Sequence, residues 1–543
     1  MVQPDNVSPA ISSAVVAAAG ELIGLEFTDG ERALMLDGVR ENRDSYYKMR
    51  AVSLENHVPP AFSFDPRLPG MAFETSKRPM VTDKIAMPPL PTDLEEVAFW
   101  PVTHLAHLVR TRQVSSVALT EMYLRRLKRY NPLLNCVVTF TEELALAQAR
   151  RADEEIASGH YRGPLHGIPW GAKDLLATRG IRTTWGAEPF RDQVIDMDAT
   201  VVERLEAAGA VLIAKLTVGA LAWGDVWFGG MTRNPWNPEE GSSGSSAGSA
   251  AATAAGLVGF SIGTETLGSI VSPSTQCRVT GLRPTFGRVS RYGAMALAWT
   301  MDKIGPICRS VEDCALVFDT IYGPDGKDLT VTDYVFNWDA TLDVRALRVG
   351  YLKDAFEHDP DVKAQYDQAL GVLRALGIDL IPVTLPDYPI EALSFLLSAE
   401  AAASFDELTR SNRDDMLARQ VKDAWPNVFR QSRLIPAVEY IQANRVRTLL
   451  KQAMADLMSR IDVYVAPSLF EPDLVLTNLT GHPAVVVPCG ANEKGKPASL
   501  TFTGKLYGEA AALAVAKAYQ DATDFHRRQP FENQTDGPHG PQS

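Results

Sequence analysis

Hydroxyl groups set among glycines are the first residues in this 543-residue chain that could do chemistry. The stretch GSSGSSAGSAAATAAG, residues 241–256, has the composition of a flexible tether. Inside it, Gly244-Ser245-Ser246-Ala247-Gly248 matches G-x-S-x-G, which would offer Ser246 as a nucleophile on a sharp strand-to-helix turn. That turn needs a hydrophobic strand directly before it. The preceding MTRNPWNPEEGSS has two prolines and no strand pattern, so the context fails. Ser45-Tyr46-Tyr47-Lys48 matches S-x-x-K, but neither S-D-N nor K-T-G accompanies it, and it reads as a helix surface. The five cysteines (Cys136, Cys277, Cys308, Cys314, Cys489) show no CxxC spacing and form no ligand pattern with the nine histidines. They read as buried apolar thiols in a reducing compartment, and neither a metal nor a cofactor is expected.

The elements that must position these groups follow from apolar patterning. VALTEMYLRRLKRY and EELALAQARRADEEIAS read as amphipathic helices, and TVVERLEAAGAVLIAKL as a helix, a stop at Gly209 and a buried strand. LRVGYL, IDLIPVTL, DVYVAPS, AVVVPCG and SLTFTG are further strands, mostly with helical stretches between them. Short β-branched runs without polar alternation imply strands covered on both faces. The expected fold is α/β: one large domain whose mixed, mainly parallel central sheet carries helices on both faces. Residues 1–90 form a separate N-terminal segment, helical over LIGLEFTDGERALMLDGVREN with Thr28 as N-cap, then a proline-crowded connector over 58–91. Residues 91–530 are the main domain and 531–543 a polar tail. The Gly/Ser run is followed at once by an alanine helix (residues 250–255), the strand-like LVGFSIGT and a second turn, TLGS. It therefore belongs to the core and is not a linker.

Three blocks in this order resemble the amidase signature family. SGSSAGSAAATAAGLVGFSIGTETLGSIVSPSTQCRVTGLRPTFGRVSRYG resembles its signature segment, with a GSS-bearing turn, a GT[DE]T–GS turn and a GLKPT–GRVS tail. Upstream, GPLHGIPWGAKDLLATRGIRTTWGA resembles the lysine-bearing segment, and downstream TNLTGHPAVVVPCG resembles the C-terminal signature. The likeness covers about residues 95 to 525.

The resemblance implies a Ser–Ser–Lys triad: nucleophile Ser269, bridging Ser245 after a cis peptide bond from Gly244, and base Lys173. A serine hydroxyl is a weak nucleophile until a base removes its proton, and lysine is a base only when burial keeps it neutral. Asp174 must then point away from Lys173. The backbone N–H groups of Thr266, Leu267, Gly268 and Ser269 would form the oxyanion hole. Leu267 stands where Gly or Asp is common and is expected to narrow the acyl entrance. Arg278 stands where Gly is common and suggests a salt bridge or a reshaped loop. His166 and His482 sit in Gly/Pro turns and read as structural. Trp223, Trp227 and Phe228, with Gly244, are the expected substrate contacts, favouring an apolar or aromatic acyl group.

The function implied is hydrolysis of a small-molecule amide, ester or carbamate through an acyl-enzyme. The alternative is an amidotransferase A subunit that releases ammonia from glutamine for a tRNA-bound substrate. A distant likeness of residues 20–50 to the small accessory subunit of such complexes keeps it open. A catalytically dead scaffold is disfavoured, because all three triad positions are filled. A formal charge of −13 gives no attraction for phosphate backbones, so nucleic acid is not an expected partner. No apolar run reaches the roughly 18 residues of a membrane span, and no basic n-region precedes ISSAVVAAAGELIGL. No membrane association and a cytoplasmic location are expected, and a homodimer is admitted.

Overall fold

In the computed structural model of the chain, residues 11–531 are described. The polar tail expected over 531–543 thus lies, apart from its first residue, outside the described residues. Strands β1 (Val137–Phe140), β2 (Pro169–Lys173) and β3 (Val211–Leu216) come first. Four short strands follow: β4 (Val226–Trp227), β5 (Gly230–Met231), β6 (Arg233–Asn234) and β7 (Asn237–Gly241). Then come β8 (Phe260–Glu265), β9 (Thr280–Arg283), β10 (Lys303–Cys308), β11 (Val349–Leu352) and β12 (Leu380–Val383). Strands β13 (Val463–Pro467), β14 (Ala484–Ala491) and β15 (Pro497–Gly504) complete the set.

Eleven of these strands form one sheet in the order β1-β3-β2-β8-β10-β9-β14-β15-β13-β11-β12. The fold is α/β with a mixed sheet, and helices such as Glu142–Ala157, Val311–Ile321 and Glu509–Asp521 pack against it. Parallel pairing is confined to β3-β2-β8 and β13-β11-β12, and the run from β8 to β13 is antiparallel. An apolar run reports that both faces of a strand are covered but says nothing of its direction. Every residue of β2, β3, β10 and β13 is buried.

The N-terminal segment is two helices, Ser13–Ile23 and Asp29–Arg50, where the sequence suggests one from Leu22 onward. Gly24, at φ 70, ends the first helix. Thr28 caps the second in a reciprocal box with Glu31. Ser45 and Lys48 lie on the exposed surface of that second helix, which buries none of its residues.

The glycine-serine run lies in the core, as its flanks imply. Helix Ala247–Ala254 is buried along its whole length. It begins against the ends of β1 and β3, where the Gly248 amide donates to the Thr217 carbonyl at 3.0 Å. A Cβ at Gly248 would stand 2.4 Å from both the Cys136 carbonyl oxygen and the Thr217 amide nitrogen. Backbone on both sides leaves nothing able to yield. The segment before the run is not structureless: β6 and β7 pair as a short polar hairpin, far from the buried strand a nucleophile elbow requires.

Gly248→Ala should therefore destabilise the fold by about 1–3 kcal/mol, the usual cost of overpacking. A urea midpoint lower than that of the parent, with an unchanged slope, is the expected result.

Candidate active site

Lys173 ends strand β2 and is 0% exposed. Its Nζ lies 2.8 Å from Ser245 Oγ, 3.0 Å from Ser246 Oγ, 2.9 Å from Thr264 Oγ1 and 3.2 Å from the Thr264 carbonyl oxygen. Burial drives its pKa well below 10.5, and Asp302 and Glu265, which favour the charged form, only partly oppose it. The peptide bond between Gly244 and Ser245 is cis.

The proton inventory singles out one hydroxyl. The Ser246 hydroxyl donates to the Thr264 carbonyl at 3.1 Å and accepts from the Thr264 amide at 3.2 Å. Its single proton is spent, so toward Lys173 it can only accept. A neutral amine has two N–H donors and one lone pair. Ser245 and Thr264 Oγ1 are the hydroxyls whose protons are not spent elsewhere, and Ser245, at 2.8 Å against 2.9 Å, is the nearer to the amine. Ser246 thus orients the amine, a role that its G-x-S-x-G spacing did not reveal.

Each neighbouring carboxylate is engaged elsewhere. Asp174 points away from Lys173, as required: Oδ1 pairs with Lys215 at 3.2 Å and Oδ2 accepts from the Thr184 amide at 2.9 Å. Glu265 accepts from Arg283 Nη1, Asn478 Nδ2 and the Ile270 amide, each at 2.8 Å, and from the Val271 amide at 3.0 Å. Burial alone would raise its carboxyl, but Arg283 and Lys303, with these hydrogen bonds, hold it at about 2. Asp302 accepts from Thr266 Oγ1 at 2.6 Å and from the Leu297 and Ala298 amides at 2.8 and 3.0 Å.

Glu265 and Asp302 together clamp the start and end of the turn over residues 266–269. Gly268 has φ +82 there, a conformation open to glycine. Among the described residues, the amides of Leu267, Gly268 and Ser269 are paired with no protein acceptor. The Ser269 carbonyl accepts from the Ser246 amide at 3.2 Å, which binds the two serine turns together. Leu267 packs its side chain against a second apolar cluster with Met301, Tyr464 and Leu476. It supports the turn as well as flanking it.

Trp223, Trp227 and Phe228 are not gathered at this turn. Trp223 stacks edge-on to Trp425 at 4.7 Å, Trp227 is edge-on to Phe228 at 4.7 Å, and Arg191 lies over Phe228 at 4.8 Å. The cavity that does abut the turn, about 440 Å³, is bounded by Thr264 and Thr266, by the 291–299 loop and by connector residues 57–63. Gly244 is enclosed by backbone: a Cβ would stand 1.9 Å from the Gly224 carbonyl oxygen. Arg278 forms no salt bridge among the described residues. It takes a glycine-like φ of 56°, donates to the Gly495 carbonyl at 2.8 Å and lies 4.4 Å from the Trp236 ring centre. His482 is buried, holds Thr480 Oγ1 at 2.8 Å and is pushed down to about 3 by burial and Arg283. His166 is equally buried and its Nδ1 accepts from the Arg162 amide at 3.1 Å.

A hydroxyl beside a buried amine, on a segment bonded to a turn of unpaired amides, is suited to acyl transfer. The amidase family model matches residues 118–476, and the chain belongs to the amidase family. The A subunit of the glutamyl-tRNA(Gln) amidotransferase of Roseiflexus castenholzii is 36% identical over 476 residues, covering 79% of this chain and 97% of the relative. The native peptide amidase of Stenotrophomonas maltophilia superposes with a TM-score of 0.70 at 28% identity, over 82% of this chain and 99% of that one. A vestigial protein complex tied to the origins of an s-triazine catabolic enzyme gives 0.72 at 28% identity, over 78% and 98%.

Glu265→Ala should cost about 3–5 kcal/mol, because it strands the buried Arg283 guanidinium. The milder Glu265→Gln tests the charge through pH. A carboxyl depressed from 4.5 to about 2 adds stability that is complete above its unfolded pKa and lost as pH falls through its folded one. The acid limb of the parent between those values should be steeper than that of Glu265→Gln, measured by urea unfolding across the range.

Proposed function

We propose that this chain hydrolyses a carbon–nitrogen bond of a small-molecule amide through an acyl-enzyme on Ser269. One observation carries the reading: Lys173 is buried, desolvation drives its pKa well below that of a free lysine, and its Nζ lies 2.8 Å from the Ser245 hydroxyl. Ser245 gives its proton to Lys173 and takes one from Ser269, whose Oγ attacks the carbonyl carbon. The amides of residues 266–269 hold the oxyanion. Lys173 returns the proton through Ser245 to the leaving nitrogen, the C–N bond breaks and the amine departs. Water then attacks the Ser269 ester by the same relay and releases the acid. Esters and carbamates pass through the same tetrahedral chemistry and are admitted as substrates.

A second reading has support in the named relatives, which are A subunits of glutamyl-tRNA(Gln) amidotransferases. In this chain it would mean ammonia release from glutamine, with a partner holding the acceptor. The formal charge of −13 argues against the chain itself binding nucleic acid. A panel of p-nitroanilides and p-nitrophenyl esters, with glutamine alongside, discriminates. Turnover of aryl amides by the isolated chain supports the first reading; glutaminase activity that appears only with a co-purifying partner supports the second.

Lys173→Ala should lose at least about a thousandfold in kcat/KM on amides, and less on esters, whose leaving oxygen needs no proton. Parent activity should rise with pH as Lys173 loses its proton, at a pH well below the 10.5 of a free lysine. A pH–rate profile in the variant identical to that of the parent would exclude Lys173 as the base.

A further inference from the structure

The proline-rich connector does more than join the helical segment to the sheet. It is pinned at two places. At one end the Asn56 side chain donates from Nδ2 to the Ala296 carbonyl at 3.0 Å and accepts the Ala296 amide on Oδ1 at 2.8 Å. At the other, Phe64 lies under the Arg447 guanidinium at 3.6 Å and edge-on to Phe286 at 5.1 Å. Lys451 Nζ then donates to the carbonyls of Asp65 and Arg67 at 2.6 and 3.1 Å. Between the pins, residues 59–63 form no hydrogen bond to the body among the described residues.

This span, whose Phe62 ring meets Tyr440 at 6.4 Å, lies over the 440 Å³ cavity whose inner wall includes Thr264, a partner of Lys173, and Thr266, the first residue of the amide turn. Phe62 is 57% exposed and also borders a second cavity of about 590 Å³ beside helix Ala437–Arg460. With space on both sides, the segment is a partition and not core packing. Its facing wall carries an apolar patch of Leu175, Met295, Leu297 and Ile304, rimmed by the charged Arg291, Asp302, Lys303, Lys327 and Asp328. Specificity from an apolar wall follows from volume exclusion and the desolvation of whatever group fills the site.

We infer that residues 57–63 are the outer wall of the acyl-binding cavity and select apolar acyl groups by size, with Asn56 as the positioning residue. The inference rests on the hydrolase reading above, and its test separates the two. All five native cysteines are buried, so a cysteine placed on the connector is the one accessible thiol among the described residues. Phe62→Cys is reacted with a pyrene maleimide, and Leu54→Cys serves as control; Leu54 is 70% exposed and lies outside both pins. Two readouts are followed: kcat/KM for acetyl and longer acyl anilides, and the labelling rate of Ser269 by small and large alkyl fluorophosphonates.

Pyrene at position 62 should slow large substrates and probes by at least about tenfold, the scale on which an apolar wall discriminates. Pyrene at position 54 should change nothing. Asn56→Ala, which removes both bonds to Ala296, should shift the ratio of long to short acyl anilides by a similar factor without abolishing turnover. If Ser269 in the parent reacts with neither probe, the hydrolase reading falls and the wall with it. If it reacts, but at rates indifferent to pyrene at position 62 and with an unchanged ratio in Asn56→Ala, the wall alone is overturned.

Discussion

An amine held in the protein interior with no carboxylate to neutralise it is the constraint on which this structure turns. Desolvation penalises the ammonium, and only a pairing acid would rescue it. Lys215 shows the paired case: equally buried, on the neighbouring strand β3, it pairs with Asp174, which partly offsets the downward pull of burial. Lys173 forms no ion pair among the described residues and is surrounded by hydroxyls and a carbonyl. The same burial that would make a poor salt bridge makes the lysine proton easier to give up.

Keeping that amine unpaired requires every nearby acid to be occupied, and the occupation ties remote parts of the chain together. Glu265 joins β8 to Arg283 on β9 and to Asn478 on helix Glu471–Thr480, and it also caps the first amides after the turn. Asp302 joins the start of the turn to the 297–298 loop. Arg283 in turn donates to the His482 carbonyl at 3.1 Å, while the His482 ring is held by Thr480 Oγ1 at 2.8 Å. These charges cross-link the ends of strands that meet only in the folded sheet. Removing Glu265 leaves a buried cation as well as a loosened turn.

Much of this was readable in the residues. Alanine and glycine between two serine turns marked a buried helix, and β-branched runs marked β3, β13, β14 and β15. Other strands were hidden by composition. PWGAK opens with proline and KIGPIC contains one, a composition that argues against a central strand, yet β2 and β10 lie in the middle of the sheet. The site divided in the same way. Lys173, Ser245 and the 266–269 turn could be named from local motifs, whereas Thr264, Arg283, Asn478 and Asp302 act through contacts between distant segments that no spacing encodes. The acid in GTETLGS and the arginine in GLRPT were the available signals, since a charge inside an apolar strand must find a partner. Trp223, Trp227 and Phe228 illustrate the converse: large rings close in sequence to a site find each other and Trp425 before they find a ligand.

The bond between Asn56 and Ala296 has a consequence for how such a chain can change over time. Toward Ala296 the carboxamide uses one donor and one acceptor, the same pair that an adjacent strand would present, and it reads only main-chain atoms. Nothing in that contact depends on which side chain stands at position 296 or at its neighbours. Residues along the inner surface of this loop are therefore free to drift while the connector keeps its place. The fastening and the surface it holds in position are encoded separately, and mutation can explore new cavity shapes without first undoing the architecture that encloses them.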